Sequence, residues 1–144
     1  MIFSAQDEFS NKQAITASAA STNYIDLLAT GTPYGAAAAL NRDLGKGGKI
    51  PLHIQVTTTF ATLTSLKVAV QTDDNTSFSS AATILETEAI AAATLTAGYV
   101  FNIDSIPLKA SERYIRLYYT VAGSDATAGN VQAGITMGNQ QAPI

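Results

Sequence analysis

The sequence predicts an all-β protein, a single-domain β-sandwich of about eight strands. Short runs of alternating apolar and polar residues recur along the chain, and clusters of turn-forming residues separate them, which is typical of all-β domains. There is no heptad repeat and no convincing amphipathic helix. The 144 residues suit one domain, which would bury roughly two thirds of its unfolded surface without a metal or disulfide.

Eight candidate strands follow one another along the chain. The alternation is clearest in the strands that begin at residues 50 and 66, because every second residue is apolar and points to one face. Their inner stripes are Leu52, Ile54 and Val56, then Leu66, Val68 and Val70. The predicted strands cover residues 13–18, 23–28, 50–60, 66–72, 82–88, 99–103, 113–121 and 131–137.

The stretch 113–138 is the most informative part of the chain, because it predicts two strands joined by a short polar turn. Alternation assigns one face of its first strand to the core and the other to the surface. The core face is Ile115, Leu117, Tyr119 and Val121, and the outward face carries Tyr114, Arg116 and Tyr118. Tyrosine and arginine displayed together are typical of protein interfaces. The alternative interpretation is a solvated face with cross-strand aromatic pairs.

Residues 29–49, rich in glycine and alanine, interrupt the regular strand spacing. Loops of this length without strand patterning are usually functional or disordered, so we interpret the segment as an extended surface loop. Its candidate interface residues are Tyr34, Arg42, Lys46 and Lys49. The terminal segments 1–12 and 138–144 are candidate arms that become ordered on docking.

The composition excludes several classes of function. The chain has no cysteine, which excludes disulfides, thiolate zinc sites and a cysteine nucleophile. Its formal net charge is -3, and its scattered Lys and Arg argue against a nucleic-acid partner, which needs clustered cations. Only 13% of the residues are charged, which suits a surface covered in an assembly. We find no signal peptide and no membrane-spanning run, so we expect a soluble protein made in the cytoplasm.

No motif for catalysis or for a cofactor is complete. His53 is the only histidine, and no nucleophile signature accompanies it. The run GKGGK at 45–49 lacks the spacing and the Ser or Thr of a phosphate-binding loop. Asp73, Asn75 and Ser77 alternate like calcium ligands, but the glycine and the glutamate of a calcium loop are missing. Glu86 and Glu88 could form an acid–base pair, although such a pair on an exposed strand more often gives solubility. We predict no catalytic, cofactor-binding or metal-binding residue.

Four stretches of the sequence carry a family resemblance. They are ITASAASTNYIDL near the start, IPLHIQV and LTSLKVAVQTDDNTSF in the middle, and RYIRLYYTVAGSDATAGNVQAGI near the end. Together, and in this order, they resemble the capsid cement (decoration) proteins of tailed bacteriophages. The likeness extends over nearly the whole chain.

The resemblance implies a jelly-roll-like β-sandwich that binds the outer surface of a phage head and fastens neighbouring subunits of the major capsid protein together. It also implies a non-enzymatic virion protein without cofactors, which forms a homodimer or, as second choice, a homotrimer. The alternative from another class is a carbohydrate-binding β-sandwich module with tyrosines stacked on sugar rings. Against that alternative stand the absence of tryptophan, the missing secretion signal and the incomplete calcium loop.

Overall fold

The computed structural model describes residues 2–42, 48–107 and 110–138, and all of its regular elements are β-strands. Every pairing between these strands is antiparallel, so the predicted all-β fold class is confirmed. Within the described residues there are seven strands instead of about eight. They are β1 (Phe3–Ala14), β2 (Ala19–Ala20), β3 (Ile25–Asp26), β4 (Leu52–Asp73), β5 (Ala82–Glu86), β6 (Ile90–Ala91) and β7 (Tyr114–Thr136).

Two long strands form the centre of the sheet. β4 has 22 residues and β7 has 23, and they pair from Leu52 opposite Ile135 to Asp73 opposite Tyr114. The predicted turn within 113–138 is therefore wrong, because its glycine-rich residues belong to β7 itself. The predicted strands 50–60 and 66–72 are likewise the two halves of β4. The turn-forming residues mark bulges where both strands bend together, since the β4–β7 register shifts between Val56 and Ser65.

Different neighbours flank the two halves of this central pair. Strand β1 pairs with the second half of β7, and β2 and β3 pair with its first half. Strands β5 and β6 pair with the second half of β4. Along the first half of β4, an irregular segment pairs with β4 where a regular strand would otherwise lie. Val56 N–H donates to the carbonyl of Tyr99 (2.8 Å), and Phe101 N–H donates to that of Ile54 (3.0 Å). The predicted strand 99–103 is this segment, which forms only an isolated bridge at Val100.

One apolar core contains residues from both halves of the β4–β7 pair. Both predicted inner stripes of β4 are buried, and so are Ile115, Leu117 and Tyr119 of β7, while Val121 is partly buried against them. The core also contains Phe9 of β1 and residues of the segments between strands, namely Ile15, Leu95, Phe101, Ile103, Ile106 and Ala110. Strict alternation along the strands explains why these positions could be predicted.

The N-terminal segment differs from the predicted arm. From Phe3 onwards it forms β1, which pairs with β7 and buries Phe9 and Ser10. The Phe3 ring lies 5.9 Å from the imidazole of His53, so this histidine is covered although its side of β4 was predicted to face outward. Gly134 allows this packing, because a Cβ there would lie 3.0 Å from both the Phe3 ring and the Asp7 carbonyl oxygen. In the predicted C-terminal arm, residues 139–144 lie outside the described part.

Candidate functional site

The predicted outward face of β7 is packed against side chains from other elements. Tyr114, Arg116 and Tyr118 are half-buried. The Arg116 guanidinium carbon lies 4.2 Å from the ring centroid of Phe78 and 5.6 Å from that of Tyr118. Its Nε donates a hydrogen bond to Oε1 of Gln71 at 2.9 Å. Burial lowers the pKa of Arg116, although a guanidinium remains charged at any physiological pH.

Tyr24, just before β3, extends this packing. Its ring meets that of Tyr114 edge to face at 5.6 Å and that of Phe78 at 6.0 Å. Tyr24 is 46% exposed and Phe78 only 7%, so the outer rim of the group is accessible while its centre is covered. The arginine–aromatic cluster is defined here as Tyr24, Phe78, Tyr114, Arg116 and Tyr118. Sequence reasoning placed three of its members and missed Tyr24 and Phe78, which come from segments distant in the chain.

A polar turn after β4 places Phe78 in the cluster. Asp73 is buried, and its carboxylate accepts hydrogen bonds from the backbone N–H of Ser80 (2.9 Å) and from the side chain of Asn75 (2.9 Å). Burial acts to raise the pKa of Asp73, but hydrogen bonds with Ser80, Asp74 and Asn75 together outweigh it, and the net shift is downward. The oxygens that the sequence suggested as calcium ligands are thus used within the turn. A lone phenylalanine among polar turn residues was the signal that could have identified Phe78.

A bidentate ion pair lies beside the cluster. Arg113 donates from Nε and Nη2 to the two carboxylate oxygens of Asp26, at 2.8 and 2.7 Å, and its guanidinium lies 5.0 Å from the Tyr114 ring centroid. The hydrogen bond from Arg113 lowers the pKa of Asp26, and the same bond raises the pKa of Arg113. Asp26 also accepts from Leu28 N–H at 2.8 Å. The pair therefore fixes the end of β3, where the long loop begins.

Of the predicted loop 29–49, residues 29–42 and 48–49 are described, and the first of these segments lies on the surface. Every residue from 31 to 40 is exposed, and Tyr34 is as exposed as a side chain can be. Leu40 N–H donates to the Gly31 carbonyl at 3.0 Å and closes the base of the projection. Two further large apolar side chains, Leu28 and Leu40, are 66% and 59% exposed. We call residues 28–42 the projecting loop.

The charged residues predicted in this loop have different environments. The Arg42 guanidinium donates to the backbone carbonyls of Leu27 (2.6 Å) and Leu28, so it holds the far end of the loop against the near end. Lys49 is exposed, with its Nζ 3.9 Å from the Asp104 carboxylate. Lys46 lies outside the described residues. The structure thus brings Arg42 close to the end of β3, beside the cluster, and leaves Lys49 on the surface near Asp104.

Residues 9–135 match the sequence model of the Bbp16 family, a span that runs from the middle of β1 almost to the end of β7. The chain belongs to the Bbp16 family. The family name is of bacteriophage origin. None of the curated proteins compared with the chain matches it.

Other chemistry-bearing residues of this Bbp16 family member are engaged locally. Nε2 of His53 lies 3.3 Å from Oε1 of Gln55. Glu86 lies 3.5 Å from the Lys67 ammonium, and Glu86 and Glu88 line an open recess of about 360 Å³. Within residues 2–42, 48–107 and 110–138, no three acidic, histidine or cysteine side chains are grouped to hold a metal. No helix in that part of the chain is long and apolar enough to cross a membrane.

Proposed function

We propose that this Bbp16 family member is a non-enzymatic virion protein that cements the outside of a tailed-phage head. The family name of phage origin and the likeness to capsid cement proteins support the proposal. The observation that carries it is the exposed apolar surface of the projecting loop. Its large apolar side chains Leu28, Tyr34 and Leu40 are all more than half exposed. Exposed apolar surface rimmed by polar groups is typical of protein interaction sites.

The mechanism of cementing is thermodynamic linkage. A protein that binds the assembled shell, but not the free capsid subunits, stabilises the shell by RT ln(1 + [L]/Kd) for each site. At a concentration of one hundred times Kd this amounts to about 2.7 kcal/mol. Because a shell carries many equivalent sites, modest binding at each of them adds up over the whole particle. No chemical step is required of the bound protein.

Co-sedimentation tests the proposal directly. The purified protein is mixed with heads that lack their cement protein, in the expanded and the unexpanded state, and the pelleted fraction is measured. We expect saturable binding to expanded heads and a higher melting temperature of the decorated heads. Failure to pellet with either form would lead us to abandon a capsid function.

Self-association is a separate part of the proposal. Cement proteins act at contacts between repeated subunits, so we propose that the protein is a homodimer, with a trimer as second choice. Light scattering on the isolated protein gives its mass, and a mass of one chain at all concentrations contradicts this part alone. The carbohydrate alternative is tested by a glycan-binding screen. Its tyrosine platform has weak support, because Tyr114 meets Tyr24 edge to face and Arg116 lies beside Tyr118.

A further inference from the structure

Residues 31–40 of the projecting loop are all exposed, and none of them is charged. From Leu27 to Asn41 the sequence has no charged residue, and three of its large apolar side chains, Leu28, Tyr34 and Leu40, are more than half exposed. Exposed loops of soluble proteins ordinarily carry polar and charged residues, whereas a concentration of apolar surface marks a site that a partner covers. Among residues 2–42, 48–107 and 110–138, no side chain covers these three apolar side chains.

The loop is also held in one shape before any partner binds. Ala36 N–H donates to the Pro33 carbonyl at 3.0 Å, and Gly35 at the third position of this turn has a φ of +79°, which glycine adopts at little cost. Leu40 pairs with Gly31 at the base. Below the base, Arg42 binds the carbonyls of Leu27 and Leu28. A preformed loop loses less conformational entropy on binding than a flexible one.

We infer that the projecting loop is a preformed apolar knob that inserts into a recess of a different folded protein. This inference rests on the proposed function, in which that protein is the capsid subunit. Three surface recesses of this chain, with volumes of about 250 to 430 Å³, are each lined by at least one carboxylate, among them Glu8, Asp73 and Glu86. Burying Tyr34 and Leu40 of a second copy there would desolvate carboxylates that are held by polar partners, such as Glu86 by Lys67 and Asp73 by Ser80, and would offer them no new partner. None of these three recesses suits the apolar side chains of the knob, and we assign the receiving recess to another protein.

The chemistry of the loop favours a protein over a lipid surface. Peripheral membrane contacts combine apolar side chains with Lys or Arg that meet anionic head groups. Between Leu27 and Asn41 there is neither lysine nor arginine, and the Arg42 guanidinium already binds two carbonyls of its own chain. Tryptophan, which is enriched at membrane interfaces, is absent from the whole sequence.

The central experiment compares loop variants in the binding assay with expanded heads. We expect the double substitution Tyr34→Ser and Leu40→Ser to weaken binding by about tenfold or more, since buried aromatic anchors dominate interface energies. The matched control is Met137→Ser, because Met137 is 88% exposed and lies at the end of β7. The control should bind within about twofold of the wild type. Neither variant should change the melting temperature of the free protein, because these side chains contact little in the folded chain.

A second pair of variants tests whether the loop is preformed. Gly35→Ala places a side chain at a positive φ with nothing within 4 Å of its Cβ, so it disturbs only the turn conformation. We expect about fivefold weaker binding, since this conformation costs an L-residue roughly 1 kcal/mol. Gly98→Ala is the control, because Gly98 also has a positive φ and open space around it, but lies outside the loop. It should leave binding unchanged.

The outcomes separate the inference from the proposed function. If the wild type binds heads and the double variant of Tyr34 and Leu40 binds equally well, the inference of a knob is wrong, while the proposed cement function stands. Equal losses in this variant and in Met137→Ser also overturn the knob. If the wild type binds no head, the proposed function fails and the inference fails with it. A loop variant that loses self-association in light scattering, or a wild type that floats with lipid vesicles through Tyr34, overturns the assignment to a different protein.

Discussion

At the scale of single residues, the most buried polar interaction is a hydroxyl pair between distant parts of the chain. The Tyr119 hydroxyl lies 2.8 Å from Oγ of Ser10 in β1, and Ser10 in turn donates to Oε1 of Gln13 at 2.7 Å. Because the Ser10 proton goes to Gln13, Tyr119 is the donor to Ser10. Burial raises the pKa of the Tyr119 phenol, and the hydrogen bond to Ser10 opposes this only in part.

Replacing this tyrosine tests the worth of the buried hydrogen bond. We expect Tyr119→Phe to lower the free energy of unfolding by about 1 kcal/mol, since it removes one buried bond and leaves the packing of the ring unchanged. Urea titration followed by circular dichroism measures the change. Tyr118→Phe, at the neighbouring half-buried position, is the control and should change stability by less than about 0.5 kcal/mol.

The same variant has a consequence at alkaline pH. A phenol whose pKa is raised by folding favours the native state below its unfolded pKa of about 10, and this contribution is lost as the pH rises above that value. The wild type should therefore lose stability above about pH 10 more steeply than Tyr119→Phe. Parallel curves would contradict the burial of the phenol.

Arg116 connects the predicted face of β7 to Phe78. We expect a double-mutant cycle with Arg116→Met and Phe78→Leu to give a coupling energy of about 0.5 to 1 kcal/mol, the usual size of a partly exposed cation–π contact. Chemical denaturation of the four proteins supplies the cycle. The cycle of Arg116→Met with Tyr34→Phe is the control, because Tyr34 lies in the projecting loop, and its coupling should be zero within error. Additive effects in both cycles would contradict the packing of the cluster.

The ion pair of Asp26 with Arg113 predicts a dependence of stability on acid pH. Since folding lowers the pKa of Asp26, its contribution is complete above the unfolded value of 3.8 and is lost as the pH falls through the lower folded value. We expect Asp26→Asn to flatten the fall in stability below about pH 4, measured by urea titration at each pH. The lowered pKa of Asp73 leaves part of the fall in place. An unchanged pH profile would contradict the pair.

At the scale of elements, the structure depends on how β4 and β7 bend together. Gly129 of β7 has a φ of +138°, and a Cβ there would collide with the Phe60 ring of β4. Gly123 has a φ of +83°, and a Cβ there would collide with the Thr64 side chain. Glycine therefore allows the two bulged strands to approach closely at the bend. From the sequence alone, these glycines predict a turn that reverses the chain, because bulges and turns favour the same residue types.

Gly129→Ala measures the closeness of this approach. We expect a loss of more than about 2 kcal/mol in unfolding free energy, from the backbone strain together with the collision with Phe60. Gly98→Ala is the comparison, since Gly98 also has a positive φ (+96°) but open space around it, and should lose about 1 kcal/mol. Thermal and urea unfolding both report the difference. Equal losses in the two variants would show that Phe60 does not fill the bend.

At the scale of the whole molecule, the single core predicts a single folding unit. Residues of β1, β4 and β7 share it with Leu95 and Phe101, so neither half of the sheet has a core of its own. We expect one cooperative transition, with far-ultraviolet circular dichroism and tyrosine fluorescence changing at the same urea concentration. Two separate transitions would contradict a single domain. Refolding should be slow, on the order of milliseconds to seconds, because β4 and β7 pair across a long stretch of chain.

The sequence predicted the inner and outer faces more reliably than the partners of the strands. Alternation placed Ile54, Val68 and Leu117 in the core, because the direction of a side chain is a local property of an extended backbone. It could not show that Phe3 covers His53, or that Phe78 covers Arg116. Both contacts join residues that are far apart in the chain, and local patterns carry no information about such pairs.

What the sequence by itself determined is the all-β class, the alternation of the main strands and the uncharged character of the segment from Leu27 to Asn41. Each depends on residue types and on spacings of a few residues. Only the tertiary structure decided that the glycine-rich stretch of β7 continues the strand and that Tyr24 and Phe78 join the arginine–aromatic cluster. It also decided that residues 31–40 are all exposed. Register and close approach are set by pairing between distant segments, and that pairing depends on the packing of the whole core.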